Sequence, residues 1–205
     1  MSLTARNASS LVIDKLCDQA READLAVAWL YCDYKAQQEQ TPINLMGAIL
    51  KRLVGSEIPE DIRKAFKEGR RPLLADLMRM LRVAIAKLPQ VFICIDALDE
   101  CLPKDLPPIL ESLRDIVRES PGTRIFLTGR RHIDGTIQKY FVKVVVIPIS
   151  PNKDDMRKYV EMRLDRDEVP EAMDNSLRAE IVGVILDKMS NMCVCESPRC
   201  EIYTY

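Results

Sequence analysis

The sequence lacks an excess of charge of either sign. It carries 30 Lys and Arg residues against 31 Asp and Glu residues in 205, for a formal net charge of −1. This balance gives no electrostatic basis for binding nucleic acid or a membrane surface, so we expect neither as a partner. No apolar run approaches the roughly 20 residues that span a bilayer. Residues 1–10 lack the apolar core of a secretory signal, and we expect a cytoplasmic protein.

The sequence also lacks the cysteine pattern of a disulfide framework. Seven cysteines are present, an odd number, and Cys17, Cys32 and Cys94 lie in apolar contexts. This usage is typical of a reducing compartment. Three further cysteines follow one another closely between Cys193 and Cys200. They could bind zinc, but a structural site needs four ligands, so an unstructured tail is the favoured interpretation.

The composition is that of an ordinary globular protein, with 47% hydrophobic and 30% charged residues. Strands alternate with helices along the chain, which predicts an α/β fold built on a parallel sheet of about four strands. A C-terminal helical piece follows the sheet. The predicted helices are 8–21, 42–54, 59–66, 72–88, one beginning at 107, one capped by Asn152, and 177–189. The predicted strands are 25–31, 91–98, 124–128 and 143–149. Residues 37–40 are predicted as loop.

The stretch from Val91 to Cys101 places acidic residues directly after a buried strand. It opens with five apolar residues, which is typical of a strand covered on both faces. Asp96 follows, and then Asp99 and Glu100. Ligands of open α/β sheets lie beyond the carboxyl ends of strands. In a Walker B element Asp96 would orient Mg²⁺, and Asp99 or Glu100 would polarise the attacking water. A helix-capping acid is the alternative, and the residues alone leave both open.

The next predicted strand ends in Thr128, Gly129, Arg130 and Arg131. A polar side chain and a cation at this position could sense the terminal phosphate of a nucleotide. Arginine suits that role because its fork of donors matches phosphate oxygens. A solvated turn is the alternative interpretation, and the neighbouring acidic strand end shifts the balance towards phosphate.

The residues Ile95-Asp-Ala-Leu-Asp-Glu-Cys101 resemble the Walker B segment of fungal NACHT-type signalling NTPases. These belong to the STAND class, and the most similar group carries nephrocystin-3-like N-terminal domains. Other segments resemble the family in the same order along the chain, over roughly residues 9–192. They are Leu11–Asp14, Trp29–Tyr34, Pro42–Leu53, Arg124–Arg130 (which the family usually ends in Thr-Ser-Arg) and Asp154–Val160.

The resemblance implies ATP or GTP with Mg²⁺, used as a switch that controls assembly. It implies that Asp96 and, at the sensor strand, Thr128 and Arg130 bind the cofactor, with Asp96 holding Mg²⁺ through water. It gives Asp99 and Glu100 the catalytic role. It also implies protein partners or self-association through regions that this sequence does not contain.

The P-loop signature of the family, G-x-x-x-x-G-K-[ST], does not occur in the sequence, which has only seven glycines. We therefore expect a truncated or degenerate copy that is inactive alone. A non-enzymatic interaction scaffold with no nucleotide binding is the alternative function. The expected organisation is a partial NTPase-like domain at 1–150, a helical extension at 151–192 and a disordered tail at 193–205.

In the family the strand before the P-loop lies between the sensor strand and the following one. Without it, two buried strand edges would be left unpaired, which is costly. The 143–149 strand is then expected to pair directly with the 124–128 strand or to detach.

Overall fold

The structure, a computed structural model, describes residues 3–22, 24–55, 63, 72–142, 144–149, 153–165, 174–192 and 200–204. By their contacts the residues divide into two compact units. The first unit is Met1–Pro148 together with Cys200–Tyr205, and the second is Ile149–Arg199. No helix among the described residues is long and apolar enough to cross a membrane.

A five-stranded sheet organises the first unit, and its strand order is β1-β2-β3-β5-β4. Strands β1, β2 and β3 are parallel, whereas β5 runs antiparallel to β3. The strands are β1 (Leu25–Tyr31), β2 (Gln90–Asp96), β3 (Thr123–Arg130), β4 (Val145–Ile149) and β5 (Cys200–Thr204). In the parallel register Tyr31 lies beside Asp96. The ends of β1 and β2 therefore meet at the same edge of the sheet.

Helices follow the strands as the alternating pattern predicts. They are α1 (Leu3–Glu22), α2 (Pro42–Val54), α3 (Leu74–Ile85), α4 (Leu106–Glu119), α5 (Asp134–Tyr140), α6 (Lys153–Leu164) and α7 (Asn175–Met192). Short 3-10 helices occupy Tyr34–Glu39, Leu98–Glu100 and Arg131–Ile133. The predicted α/β class, with parallel strands, flanking helices and a C-terminal helical piece, is confirmed.

Helix α2 shows how local sequence sets these boundaries. The Thr41 side chain accepts a hydrogen bond from the Asn44 amide at 3.3 Å, and Pro42 occupies the first helical position. Gly55 ends the helix with a positive φ of 60°, a conformation that favours glycine. The cap, the first residue and the end of α2 all agree with the sequence prediction.

The core lies between the sheet and the apolar faces of α2, α3 and α4. Strand β2 is covered on both faces, since Ile93, Cys94 and Ile95 are all fully buried. The helices contribute side chains at three- and four-residue spacing, among them Leu45, Met46, Ile49, Leu77, Leu81, Ile85, Ile109, Leu113 and Ile116. The unbroken apolar run is thus explained by burial on both sides.

The expectation of an unstructured tail is wrong for residues 200–204, which form β5. This strand pairs with β3 from Phe126↔Thr204 to Arg130↔Cys200. The expectation that β4 pairs directly with β3 or detaches is also wrong, because β5 lies between the two. The physical reason is the free edge of β3, whose N–H and C=O groups require partners.

Other differences are local. Residues 37–40 are predicted as loop, but Tyr34–Glu39 is a 3-10 helix whose first turn is capped by Asp33. Helix α5 is not predicted from the sequence. The predicted helix at 59–66 lies outside the described residues apart from residue 63, and the Asn152 cap and most of the Cys193–Cys200 segment also lie outside them.

In the second unit, α6 and α7 are joined by Arg178. Its guanidinium donates to the Asp165 carboxylate at 2.5 Å and to the Glu161 carbonyl oxygen at 3.2 Å. Val160 on α6 and Val182 on α7 are both buried. The unit is therefore a helix pair that is joined by the hydrogen bonds of Arg178 and has a buried valine on each helix.

We expect Leu81→Ala to destabilise the fold by about 2–5 kcal/mol, because Leu81 is fully buried and its truncation leaves a cavity. Val83→Ala on the same helix is the matched control, since Val83 is 56% exposed, and it should change stability by less than about 0.5 kcal/mol. Urea unfolding of the two variants measures both effects. Equal losses would contradict the placement of α3.

We also expect stability to fall at alkaline pH because of Cys94. Burial raises the pKa of this thiol from 9.0 to about 12. Between these values the unfolded chain loses a proton that the folded chain retains, so the contribution is complete below pH 9 and is lost as the pH rises. This thiol should contribute about 1.4 kcal/mol per pH unit to the slope. Cys94→Ala should reduce the slope by that amount in urea unfolding measured from pH 8.5 upwards, and an unchanged slope would contradict this account.

Candidate functional site

A buried carboxylate ends β2, and a hydroxyl from β3 holds it. Asp96 is 2% exposed and Thr128 is fully buried. The Thr128 hydroxyl donates to Asp96 Oδ1 at 2.5 Å and accepts a hydrogen bond from the Ala97 amide at 2.9 Å. A buried polar group without partners is costly, so this hydroxyl stabilises the carboxylate and the following amide at once.

The chain turns sharply immediately after Asp96. Ala97 adopts the left-handed conformation with φ 56° and ψ 46°, the one non-glycine positive φ among the described residues. For an L-residue this costs roughly 1–2 kcal/mol. The turn leads into the 3-10 helix Leu98–Glu100, which brings Asp99 and Glu100 to the carboxyl edge of the sheet. The left-handed conformation of Ala97 therefore sets the direction in which the chain carries both acids.

One guanidinium contacts both of these acids. Arg130 Nε lies 3.3 Å from Asp99 Oδ2, and Arg130 Nη2 lies 3.1 Å from Glu100 Oε1. The Arg130 backbone amide also donates to Asp99 Oδ1 at 3.2 Å. The arginine side chain is 44% exposed, whereas those of Asp99 and Glu100 are 4% and 10% exposed. The cation thus lies over two buried carboxylates with its outer side facing solvent.

Gly129 allows the end of β3 to approach these acids closely. A Cβ built at this position would lie 2.6 Å from Ile133 Cδ1 and 3.4 Å from Asp99 Oδ1. Any larger residue would require the Ile133 side chain to shift. The glycine therefore fits the close approach that joins the Arg130 amide to Asp99.

A polar pocket of about 590 Å³ opens beside the arginine. It is lined by Asp33, Tyr34, Lys35, Gln37, Asp99, Glu100, Arg130 and His132. Asp96 and Thr128 are not among the lining residues. The mixture of cations and acids suits a ligand that carries both anionic groups and hydrogen-bond donors.

The segment after β1 forms one wall of this pocket and is held by a single buried amide. Gln40 Nε2 donates to the Asp33 carbonyl oxygen at 2.5 Å, and the Asp33 amide donates to Gln40 Oε1 at 3.0 Å. Asp33 also accepts a hydrogen bond from the Lys35 amide at 3.1 Å through its side chain. These contacts fix both ends of the Tyr34–Glu39 turn.

The five residues selected from the sequence lie together at the carboxyl edge of β2 and β3, although they form two clusters. Asp96 pairs with Thr128, while Asp99 and Glu100 pair with Arg130. Sequence reasoning missed the contribution of the Asp33–Gln37 segment. The signal was Asp33 at the end of a neighbouring parallel strand, since the carboxyl ends of such strands meet at one edge. Within the described residues, no group of three or more metal-ligating side chains forms a site.

The family model described as Nephrocystin 3, N-terminal, matches residues 7–130. This match covers more than half of the 205-residue chain. The chain belongs to the nephrocystin 3 N-terminal family. The searches of curated proteins and of solved structures gave no match. The part of the chain that matches the nephrocystin 3 N-terminal family contains β1, β2 and β3, and with them all five of the selected residues.

We expect Thr128→Val to destabilise the fold by about 1–3 kcal/mol, because it leaves the buried Asp96 carboxylate and Ala97 amide without their shared partner. Thr128→Ser should retain most of the stability. Thr123→Val on the same strand is the matched control, since the buried Thr123 hydroxyl has no hydrogen-bond partner, and this variant should be neutral or stabilising. Thermal unfolding ranks the three, and equal losses for both valine variants would refute the bridging role.

Proposed function

We propose that this chain is a NACHT-type signalling module of the STAND class, and that the carboxyl edge of β2 and β3 is the metal- and phosphate-facing side of a nucleotide site. The observation that carries the proposal is the buried Asp96 carboxylate held by the Thr128 hydroxyl at the ends of adjacent parallel strands. Membership of the nephrocystin 3 N-terminal family supports it.

The donor chemistry at this edge fits Mg²⁺. A carboxylate oxygen and a hydroxyl oxygen are hard donors, and Mg²⁺ is usually held by one or two carboxylates together with waters and phosphates. Asp96 would hold the ion through water, in the manner of a Walker B aspartate, with Thr128 fixing the carboxylate. When bound, Mg²⁺ neutralises charge on the phosphates of ATP or GTP.

We propose that Asp99 and Glu100 orient the attacking water. In the arrangement described above, both contact Arg130. We propose that Arg130 exchanges one of these carboxylates for the terminal phosphate, because its fork of donors fits phosphate oxygens equally well. The released carboxylate could then accept a proton from water.

The chain does not carry the G-x-x-x-x-G-K-[ST] sequence, so the 205 residues do not supply the lysine and backbone cradle of a P-loop. We therefore propose that this chain by itself binds nucleotide weakly and acts through association with other proteins or with itself. A scaffold without nucleotide binding is the second candidate, and the missing signature is the observation that favours it.

The test compares two purified chains. The first is the chain as it stands, and the second carries a strand and a G-x-x-x-x-G-K-T loop joined ahead of α1. We expect the first to bind fluorescent ATP with Mg²⁺ more weakly than about 1 mM, and the second to bind in the micromolar range. Asp96→Asn should reduce binding by the second at least about tenfold, whereas Glu111→Gln, an exposed acid on α4, should leave it unchanged.

Each other outcome is informative. Micromolar binding by the first chain that Asp96→Asn abolishes would overturn the expectation that it is inactive alone. Binding that survives Asp96→Asn would remove Asp96 from the nucleotide site. A folded second chain that binds no nucleotide would reject the nucleotide proposal in favour of the scaffold.

A further inference from the structure

Two buried thiols meet beside the candidate site. Cys32 and Cys101 are 2% and 5% exposed, and their sulfur atoms are 3.6 Å apart, in hydrogen-bond contact. They are separated by 69 positions in the sequence. A disulfide needs a sulfur–sulfur distance of about 2.0 Å. The two side chains are thus already adjacent and require only a small approach to become linked.

The backbone holds both cysteines in place. Cys32 directly follows β1, and its amide donates to the Asp96 carbonyl oxygen at 2.9 Å, which continues the pairing of β1 with β2. Cys101 ends the 3-10 helix Leu98–Glu100, and its amide donates to the Leu98 carbonyl oxygen at 3.2 Å. Since both backbones are hydrogen-bonded, closing the remaining gap falls to the side-chain torsions.

Each cysteine is adjacent in sequence to a residue of the pocket wall. Cys32 precedes Asp33, and Cys101 follows Glu100. These two segments both contribute residues to the pocket lining. We propose that Cys32 and Cys101 form a reversible disulfide that ties these two segments together, so that the pocket edge responds to peroxide.

The chemistry balances with hydrogen peroxide as the two-electron oxidant. One cysteine sulfur attacks a peroxide oxygen, the O–O bond breaks, and a sulfenic acid and one water form. The second sulfur then attacks the sulfenic sulfur, the S–S bond forms, and a second water leaves. The two thiol protons end in the two waters, and a dithiol restores the reduced pair by exchange.

Burial of both thiols limits the access of peroxide, so this reaction should be slow. Adjacency of the second thiol favours linkage over further oxidation of the first.

The test treats the reduced chain with hydrogen peroxide, blocks the remaining thiols by alkylation, and maps the digested peptides by mass spectrometry. We expect a linked peptide pair that contains Cys32 and Cys101, lacks two hydrogen atoms, and disappears with dithiothreitol. Cys32→Ser and Cys101→Ser should each abolish it. Cys94→Ala, which changes another buried cysteine, should leave it in place.

A second measurement keeps the result independent of the folding of the serine variants. The oxidised wild-type chain should unfold at a higher temperature than the reduced chain, because the link closes a long loop. Sulfinic acid at either cysteine without the linked peptide, or linkage to other cysteines, would overturn the proposal. The test involves no nucleotide, so its outcome is separate from that of the proposed function.

Discussion

Strand β2 is hydrogen-bonded along both of its edges, and the arrangement of the site depends on this pairing. Its partners β1 and β3 run parallel to it, so the polar residues that follow all three strands lie at one edge. Val91, Ile93, Cys94 and Ile95 of β2 are fully buried, and Asp96 is the first polar residue after them. The side chains of β2 therefore change from the apolar core to the charged carboxyl edge of the sheet between one residue and the next.

The carboxyl edge of β2 and β3 carries three acids and one arginine that contacts two of them. Asp99 and Glu100 share the guanidinium of Arg130, while Asp96 relies on a hydroxyl rather than on a cation. Breaking a buried ion pair by removing one partner is strongly destabilising. These contacts thus hold the ends of β2 and β3 together.

Sequence reasoning could locate this edge because burial leaves a clear signal. The apolar run before Asp96 indicates a strand covered on both faces, and Thr41, Pro42 and Gly55 mark a helix by known capping chemistry. The β5 pairing could not be predicted, since it joins residues 200–204 to a strand that is distant in the sequence, and local patterns do not show which strand edge a segment will meet.

The Cys32–Cys101 contact was missed for a related reason. It joins residues that are distant in the sequence, and only the register of β1 against β2 brings them together. Local patterns such as caps and apolar runs contain no information about that register. The same limit applies to the pocket wall at Asp33, which faces Glu100 only after the strands have paired.

The side-chain amide of Gln40 affects how a ligand would bind in the pocket. Because its two hydrogen bonds fix both ends of the Tyr34–Glu39 turn, that wall is ordered before anything binds. A ligand that contacts it does not have to supply the conformational entropy of ordering a loop. Recognition on this side would therefore resemble docking to a rigid surface.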